Sequence, residues 1–182
     1  MNLDMKELLK LARESIETEL NRKELKISED IKKKFSEKRA CFVTLSFKDN
    51  DELRGCIGSL LPRQELWKDV VENAKNAAFS DPRFPSISKS ELDKIKIEIS
   101  ILTIPTKINY KSENELRNKI MRKGVILRKG FYSATYLPQV WEDLSDFNDF
   151  ISSLCSKAGL SSNAWKNLDL EVLIYEVDKI EE

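Results

Sequence analysis

Two runs of period two, separated by five polar residues, constrain this chain more than anything else in it. From Cys41 to Phe47, Cys41, Val43, Leu45 and Phe47 alternate with Phe42, Thr44 and Ser46, the pattern of a strand with one buried face. Lys48-Asp49-Asn50-Asp51-Glu52 then reads as a turn, and Leu53 to Leu60 as the antiparallel return. A turn centred near Asn50 and Asp51 puts Leu45 opposite Cys56 and Cys41 opposite Leu60, which keeps the two cysteines too far apart to bond. The returning strand is itself unusual: Leu53-Arg54-Gly55-Cys56-Ile57-Gly58 holds two glycines, an arginine and a thiol. Strands avoid glycine, so this pair predicts a bulge, or a close approach of another backbone or a ligand.

In that register Arg54, Cys56 and Gly58 share one face, and Leu53, Gly55 and Ile57 the other. A guanidinium two residues from a thiol favours the thiolate, and a bare Gly58 leaves room for a small reactant. The competing reading is that the same face carries Val43 and Leu45, where a free cysteine is a small inert hydrophobe. A one-residue bulge at either glycine would reverse the facing altogether.

Composition narrows the chemistry. The 182 residues suffice for one domain over the whole chain, or a larger and a smaller lobe sharing a core. With 31 basic and 31 acidic side chains the formal charge is zero, so no global field recruits nucleic acid. There is no histidine, which removes Ser-His-Asp and Cys-His activation and every zinc ligand set containing imidazole. No metal or cofactor is implied. Three cysteines, an odd number, argue against a disulfide framework. Apolar runs too short to span a bilayer, and a Met1-Asn2-Leu3-Asp4 start without a secretion pattern, make the cytoplasm the expected location.

Elsewhere the periodicity alternates between helix and strand. Met5, Leu8, Leu9, Ala12, Ile16 and Leu20 stripe a helix from about Asp4 to Leu20, and Ser28 caps a short helix with Glu29-Asp30 in its first turn. Lys32-Lys33-Lys34 reads as the solvated face of that helix. Leu66 to Phe79 is a helix striped with small residues. Ser80-Asp81-Pro82-Arg83-Phe84-Pro85 is then a rigid loop, either a pocket wall carrying Asp81 and Arg83 or a self-paired turn. A turn at Ser90 to Asp93 leads into a strand over Ile95, Ile97, Ile99 and Ile101. Beyond Pro105, helix Glu113 to Ile120, strand Val125 to Leu127, a turn at Lys129-Gly130 and strand Phe131 to Leu137 follow. A helix from near Ser145, capped by Gly159, carries Cys155 on its apolar stripe, and Leu170 to Val177 is the last strand. Hairpins mixed with helices, without repeated βαβ units, predict an α+β class with an antiparallel sheet flanked by helices.

Taken together, Leu53-Arg54-Gly55-Cys56-Ile57-Gly58, Glu72-Asn73-Ala74, Asp81-Pro82-Arg83-Phe84-Pro85, Glu98 to Leu102, Leu137-Pro138-Gln139-Val140 and Cys155 to Leu160 resemble the AMMECR family, also called AmmeMemoRadiSam system protein A. The resemblance spans nearly the whole chain. It implies a larger lobe with an antiparallel sheet plus a smaller lobe, and a cleft formed by Arg54, Gly55, Cys56, Gly58, Asn73, Asp81, Arg83, Phe84, Pro138 and Gln139. It also implies a Memo-like protein and a radical-SAM protein as partners. The chain departs from the family pattern at Lys123-Gly124, where many relatives have His-Gly, and at Asp51-Glu52, where a glycine is usual.

Three functions are therefore open. The first is an enzyme or enzyme subunit acting on a small anionic molecule, with Cys56 as nucleophile, Arg54 stabilising its thiolate, and Asp81 orienting Arg83 or moving a proton. The second is a module that binds a protein segment or ligand, with Cys56 only shaping the cleft. The third, weakest on charge grounds, is nucleic-acid binding through Arg117, Lys119, Arg122, Lys123, Arg128 and Lys129, with Phe131 and Tyr132 nearby for stacking.

Overall fold

Helix α1 (Leu3–Leu20) turns Leu8, Leu9, Leu11, Ala12 and Ile16 inward, the stripe expected from three- and four-residue spacing. The computed structural model describes residues 3–182, so the Met1-Asn2 part of the start lies outside the described residues. Helix α2 (Glu29–Lys34) is capped by Ser28, whose hydroxyl accepts from the Ile31 N–H. Strands β1 (Ala40–Phe47) and β2 (Leu53–Gly58) form the expected antiparallel pair. Helix α3 (Leu66–Phe79), the turn α4 (Lys89–Leu92) and strand β3 (Ile95–Leu102) follow.

The remaining elements are β4 (Thr106–Ile108), α5 (Glu113–Ile120), β5 (Gly124–Lys129), β6 (Tyr132–Tyr136), α6 (Val140–Asp143), α7 (Phe147–Lys157), a 3-10 turn at Ala164–Asn167, β7 (Glu171–Tyr175) and β8 (Val177–Glu181). The class is α+β with two antiparallel four-stranded sheets, ordered β2-β1-β3-β8 and β4-β7-β5-β6. The chain divides into two units. The first holds the chain up to Leu102 together with Asp178–Glu182, and the second is Thr103–Val177.

In the first unit, Val43, Leu45, Ile95, Ile97, Ile99 and Ile101 form the buried face of the sheet, and α3 and α1 pack against it. In the second, Leu116, Val125, Leu127, Trp141, Phe147, Phe150, Leu154, Trp165 and Val172 make a separate cluster. There Trp141 stacks on Phe150 with ring centroids 3.6 Å apart. Cys155 is buried in this cluster, as its place on the helix stripe predicts. Helix α7 starts later than expected, because Asp146 rather than Ser145 caps it, accepting from the N–H groups of Asn148 and Asp149.

The hairpin register corrects the sequence reading by one residue. Cys56 pairs with Thr44, Gly55 with Leu45, and Leu53 with Ser46, which leaves Arg54 as the extra residue of a bulge in β2. Cys56 therefore shares the face of Thr44 and Phe42, while Ile57 and Gly55 lie on the core face with Val43 and Leu45. No helix among the described residues is long and apolar enough to cross a membrane.

Candidate functional site

Both glycines of the hexapeptide are filled by protein. A Cβ on Gly55 would sit 2.2 Å from the carbonyl oxygen of Ala77, so its bareness lets the backbone of α3 approach β2. A Cβ on Gly58 would meet the Phe42 ring at 2.3 Å and the Cys41 carbonyl oxygen at 2.6 Å. The expected room for a reactant at Gly58 is thus taken by Phe42, its partner across the ladder.

Asn73 is also internal. It is buried on α3, and its amide donates to the Cys41 carbonyl at 3.2 Å and to Asp69 Oδ2 at 3.0 Å. Asp69, absent from the sequence reading, is the centre of this cluster: it accepts from the Cys41 N–H at 2.9 Å, Ser59 Oγ at 2.9 Å and Gln64 Nε2 at 3.1 Å. Its place on the stripe of Leu66, Val70 and Asn73 is the signal that could have found it. The cluster fastens the start of α3 to β1.

Asp81 does the same work at the other end of that helix. Its side chain, 2 % exposed, accepts the Cys56 N–H on Oδ2 at 2.8 Å. Arg83 donates to it three times, from Nη2 at 2.7 Å, Nε at 3.0 Å and its own backbone N–H at 3.1 Å. The Arg83 bond, helped by the Cys56 N–H and opposed by burial, holds the Asp81 carboxyl far below the usual carboxylate range. A group so acidic keeps its charge at neutral pH, and its three bonds from Arg83 fix that guanidinium in place. Arg83 Nη2 also donates to the Cys56 carbonyl at 3.2 Å. The pair thus satisfies both backbone groups of Cys56 along the outer side of β2, an edge strand.

Arg54 faces the same loop. It is buried, with Nε on Glu91 Oε1 at 2.8 Å and Nη2 on the Pro85 carbonyl at 2.9 Å. This bond, with the Ser88 hydroxyl second, draws Glu91 down to about 2. Two guanidinium groups lie over the Phe84 ring, Arg54 at 5.9 Å and Arg83 at 5.5 Å from its centroid. The cation beside Cys56 is accordingly Arg83, whose side chain is 53 % exposed, and Arg54 is instead an anchor of the loop.

Of the three free thiols, Cys41 and Cys155 are buried and pushed up by desolvation. Cys56 is half-buried, and Thr44 Oγ1 donates to its sulfur at 3.2 Å. Glu98 pairs with Thr44 on β1's other side, so Cys56, Thr44 and Glu98 form one row across three strands, on the face away from the core. Lys179 is ion-paired to Glu98 at 3.5 Å.

Pro138 and Gln139 belong to the second unit, in the turn that enters α6, where the Trp141 N–H donates to the Pro138 carbonyl and Gln139 Oε1 is buried. The other expected site residues lie together on β2, α3 and the loop after it. The basic residues proposed for nucleic acid are largely engaged: Lys119 on the Asn109 carbonyl, Lys123 with Glu176, Arg128 with Glu171, Lys129 with Asp169, and Arg117 over the Phe147 ring. Among the described residues no group of three or more acidic or sulfur side chains converges to hold a metal.

A family model described as AMMECR1 matches residues 9–180. The protein NEQ441 of Nanoarchaeum equitans is 40 % identical over 178 residues, covering 96 % of this chain and 98 % of its own length. The protein MJ0810 of Methanocaldococcus jannaschii is 39 % identical over 177 residues, covering 96 % of this chain and 88 % of its own. The crystal structure of PH0010 from Pyrococcus horikoshii superposes with a TM-score of 0.80 at 36 % identity, covering 96 % of this chain and 89 % of that one.

Proposed function

The chain belongs to the AMMECR1 family, and on that premise we propose that it is an enzyme or enzyme subunit in which the Cys56 thiol acts on a small anionic molecule. One observation carries the reading: the half-buried sulfur accepts a hydrogen bond from Thr44 while the half-exposed guanidinium of Arg83 is fixed to the carbonyl of the same residue. The hydroxyl fixes the sulfur in place, and a nearby exposed cation gathers anionic reactants. Cys56 gives its proton to solvent, and its sulfur electron pair forms a bond to an electrophilic carbon whose leaving group departs with the bonding pair. Water then displaces the sulfur and restores the thiol.

The proposal extends to a Memo-like protein and a radical-SAM protein as partners, on the family resemblance. A second reading has an observation of its own. Arg54, Gly55, Gly58, Asn73 and Asp81 are all occupied in holding β2, α3 and the loop together, which is what a binding module with a stiff scaffold requires.

The test is to incubate the protein with a total small-molecule extract and follow both solute loss and the intact mass of the chain. Turnover or a covalent adduct that disappears in Cys56→Ser supports the enzyme. Solutes retained equally by the parent and Cys56→Ser, with no turnover, support the binding module.

A further inference from the structure

We propose that Arg54 and Arg83 form a two-guanidinium site for the phosphate group of a small phosphate ester, with the Phe84 ring as the side chain that moves aside to admit it. This deepens the proposed function, on whose anionic substrate it rests, by naming the group that the anion presents. Two independent observations meet at this loop. Arg54 is 5 % exposed, and its Nη1 is buried with no hydrogen-bond partner among the described residues. Buried donors are ordinarily paired because leaving them unpaired is costly, so one that stays unpaired points to a use. Arg83, half-exposed, keeps its own Nη1 clear of every acceptor among the described residues, since Nε and Nη2 are taken by Asp81 and the Cys56 carbonyl. Both heads lie over one ring, at 5.9 Å and 5.5 Å from the Phe84 centroid.

What is left of each guanidinium selects the ligand. A flat carboxylate is held best by both nitrogens of one side-on fork. In Arg83 that fork is spent on Asp81, and in Arg54 its two nitrogens are spent on Glu91 and the Pro85 carbonyl. Nη1 remains on each head, carrying a pair of N–H groups, so an ion held by both must offer oxygens in more than one direction. A tetrahedral phosphate does so, and a carboxylate does not. The loop lets the ring move alone. The Phe84 N–H donates to the Asp81 carbonyl at 3.1 Å and the Pro85 carbonyl accepts from Arg54, so the backbone on both sides of the half-buried ring is tied. While the ring stays, its π face contacts the cations, and an arriving phosphate replaces that contact with charge-assisted hydrogen bonds.

The experiment titrates the full chain with inorganic phosphate, methyl phosphate and acetate at constant ionic strength by calorimetry. Inorganic and methyl phosphate bind with similar affinity, and acetate binds roughly tenfold more weakly. Phe84→Ala strengthens phosphate binding roughly threefold to tenfold, because no ring has to be displaced. When Phe84→Ala is joined to Arg54→Lys, which keeps the charge and loses Nη1, that gain disappears. Phosphate bound no better by Phe84→Ala than by the parent overturns the proposal, and so does a gain that survives Arg54→Lys, which leaves Arg83 acting alone. Acetate bound as well as phosphate, or inorganic phosphate bound without methyl phosphate, also overturns it. These two readouts need no change at Arg54 and decide the matter should Arg54→Lys fail to fold. Because the titration requires neither Cys56 nor turnover, its failure is distinct from failure to find turnover or a covalent adduct.

Discussion

Helix α3 is pinned to its sheet by a buried carboxylate near each end, and the two pins are built differently. Asp69, in the first turn, takes the Cys41 N–H and is otherwise surrounded by the neutral donors Asn73, Ser59 and Gln64. Asp81, two residues beyond the helix, takes the Cys56 N–H and is otherwise surrounded by Arg83. The first pin sits beside a thiol that burial makes inert, the second beside the thiol that solvent reaches. Neutral donors enclosed by the fold offer nothing to exchange. The guanidinium at the other pin is half-exposed and open to an anion, and so the Asp81 end is where the proposed function puts its chemistry.

The largest effect expected from breaking this contrast is at the neutral pin. Asp69→Ala strands the Cys41 N–H in the interior and takes one partner from the Asn73 amide, which keeps the Cys41 carbonyl, at about 1–3 kcal/mol per unsatisfied group, so the stability read from urea unfolding falls by roughly 2–4 kcal/mol. A loss under 1 kcal/mol would mean that α3 does not depend on it.

Asp81→Asn is milder, about 1–2 kcal/mol, because Arg83 can turn to water. Its signature is in the pH dependence. A folded carboxyl held below its unfolded value of about 4 contributes stability that is complete above that value and is lost as acid protonates the folded protein. The gap between parent and Asp81→Asn therefore narrows as the pH drops below about 4 in acid unfolding curves. Glu91, drawn down to about 2 by Arg54, contributes the same kind of acid loss in both proteins and cancels from the comparison. A gap that stays constant with pH would show that the Asp81 charge plays no part in the pin.

Much of the fold was legible from periodicity. The stripes of α1 and α3, the β1–β2 hairpin and the Glu113–Ile120 helix match the expected spans. Short elements were not: β4 has three residues and α6 four, too few for any period to register. Strand β8 was also missed, its Val177–Glu181 run being mostly charged, so that only Ile180 is buried. The site shows the same boundary more sharply. The hexapeptide is the unusual strand it reads as, yet the turn before it centres one residue earlier than expected and a bulge at Arg54 adds a residue back, and together these set Cys56 opposite Thr44 instead of Leu45. No reading of single residues shows that Phe42 fills the space at Gly58 or that Arg54 is committed to Glu91, because both depend on contacts distant in sequence.

The most direct test of the account is whether the cation serving Cys56 is Arg83. The ratio of the Cys56 alkylation rates by iodoacetate and by iodoacetamide reports the charge felt by an anion at the sulfur, independent of the reactivity of the thiol itself. At low salt the account predicts that Arg83→Gln lowers this ratio by roughly threefold to tenfold, while Arg83→Lys keeps most of it. The same ratio in the parent and Arg83→Gln would contradict it.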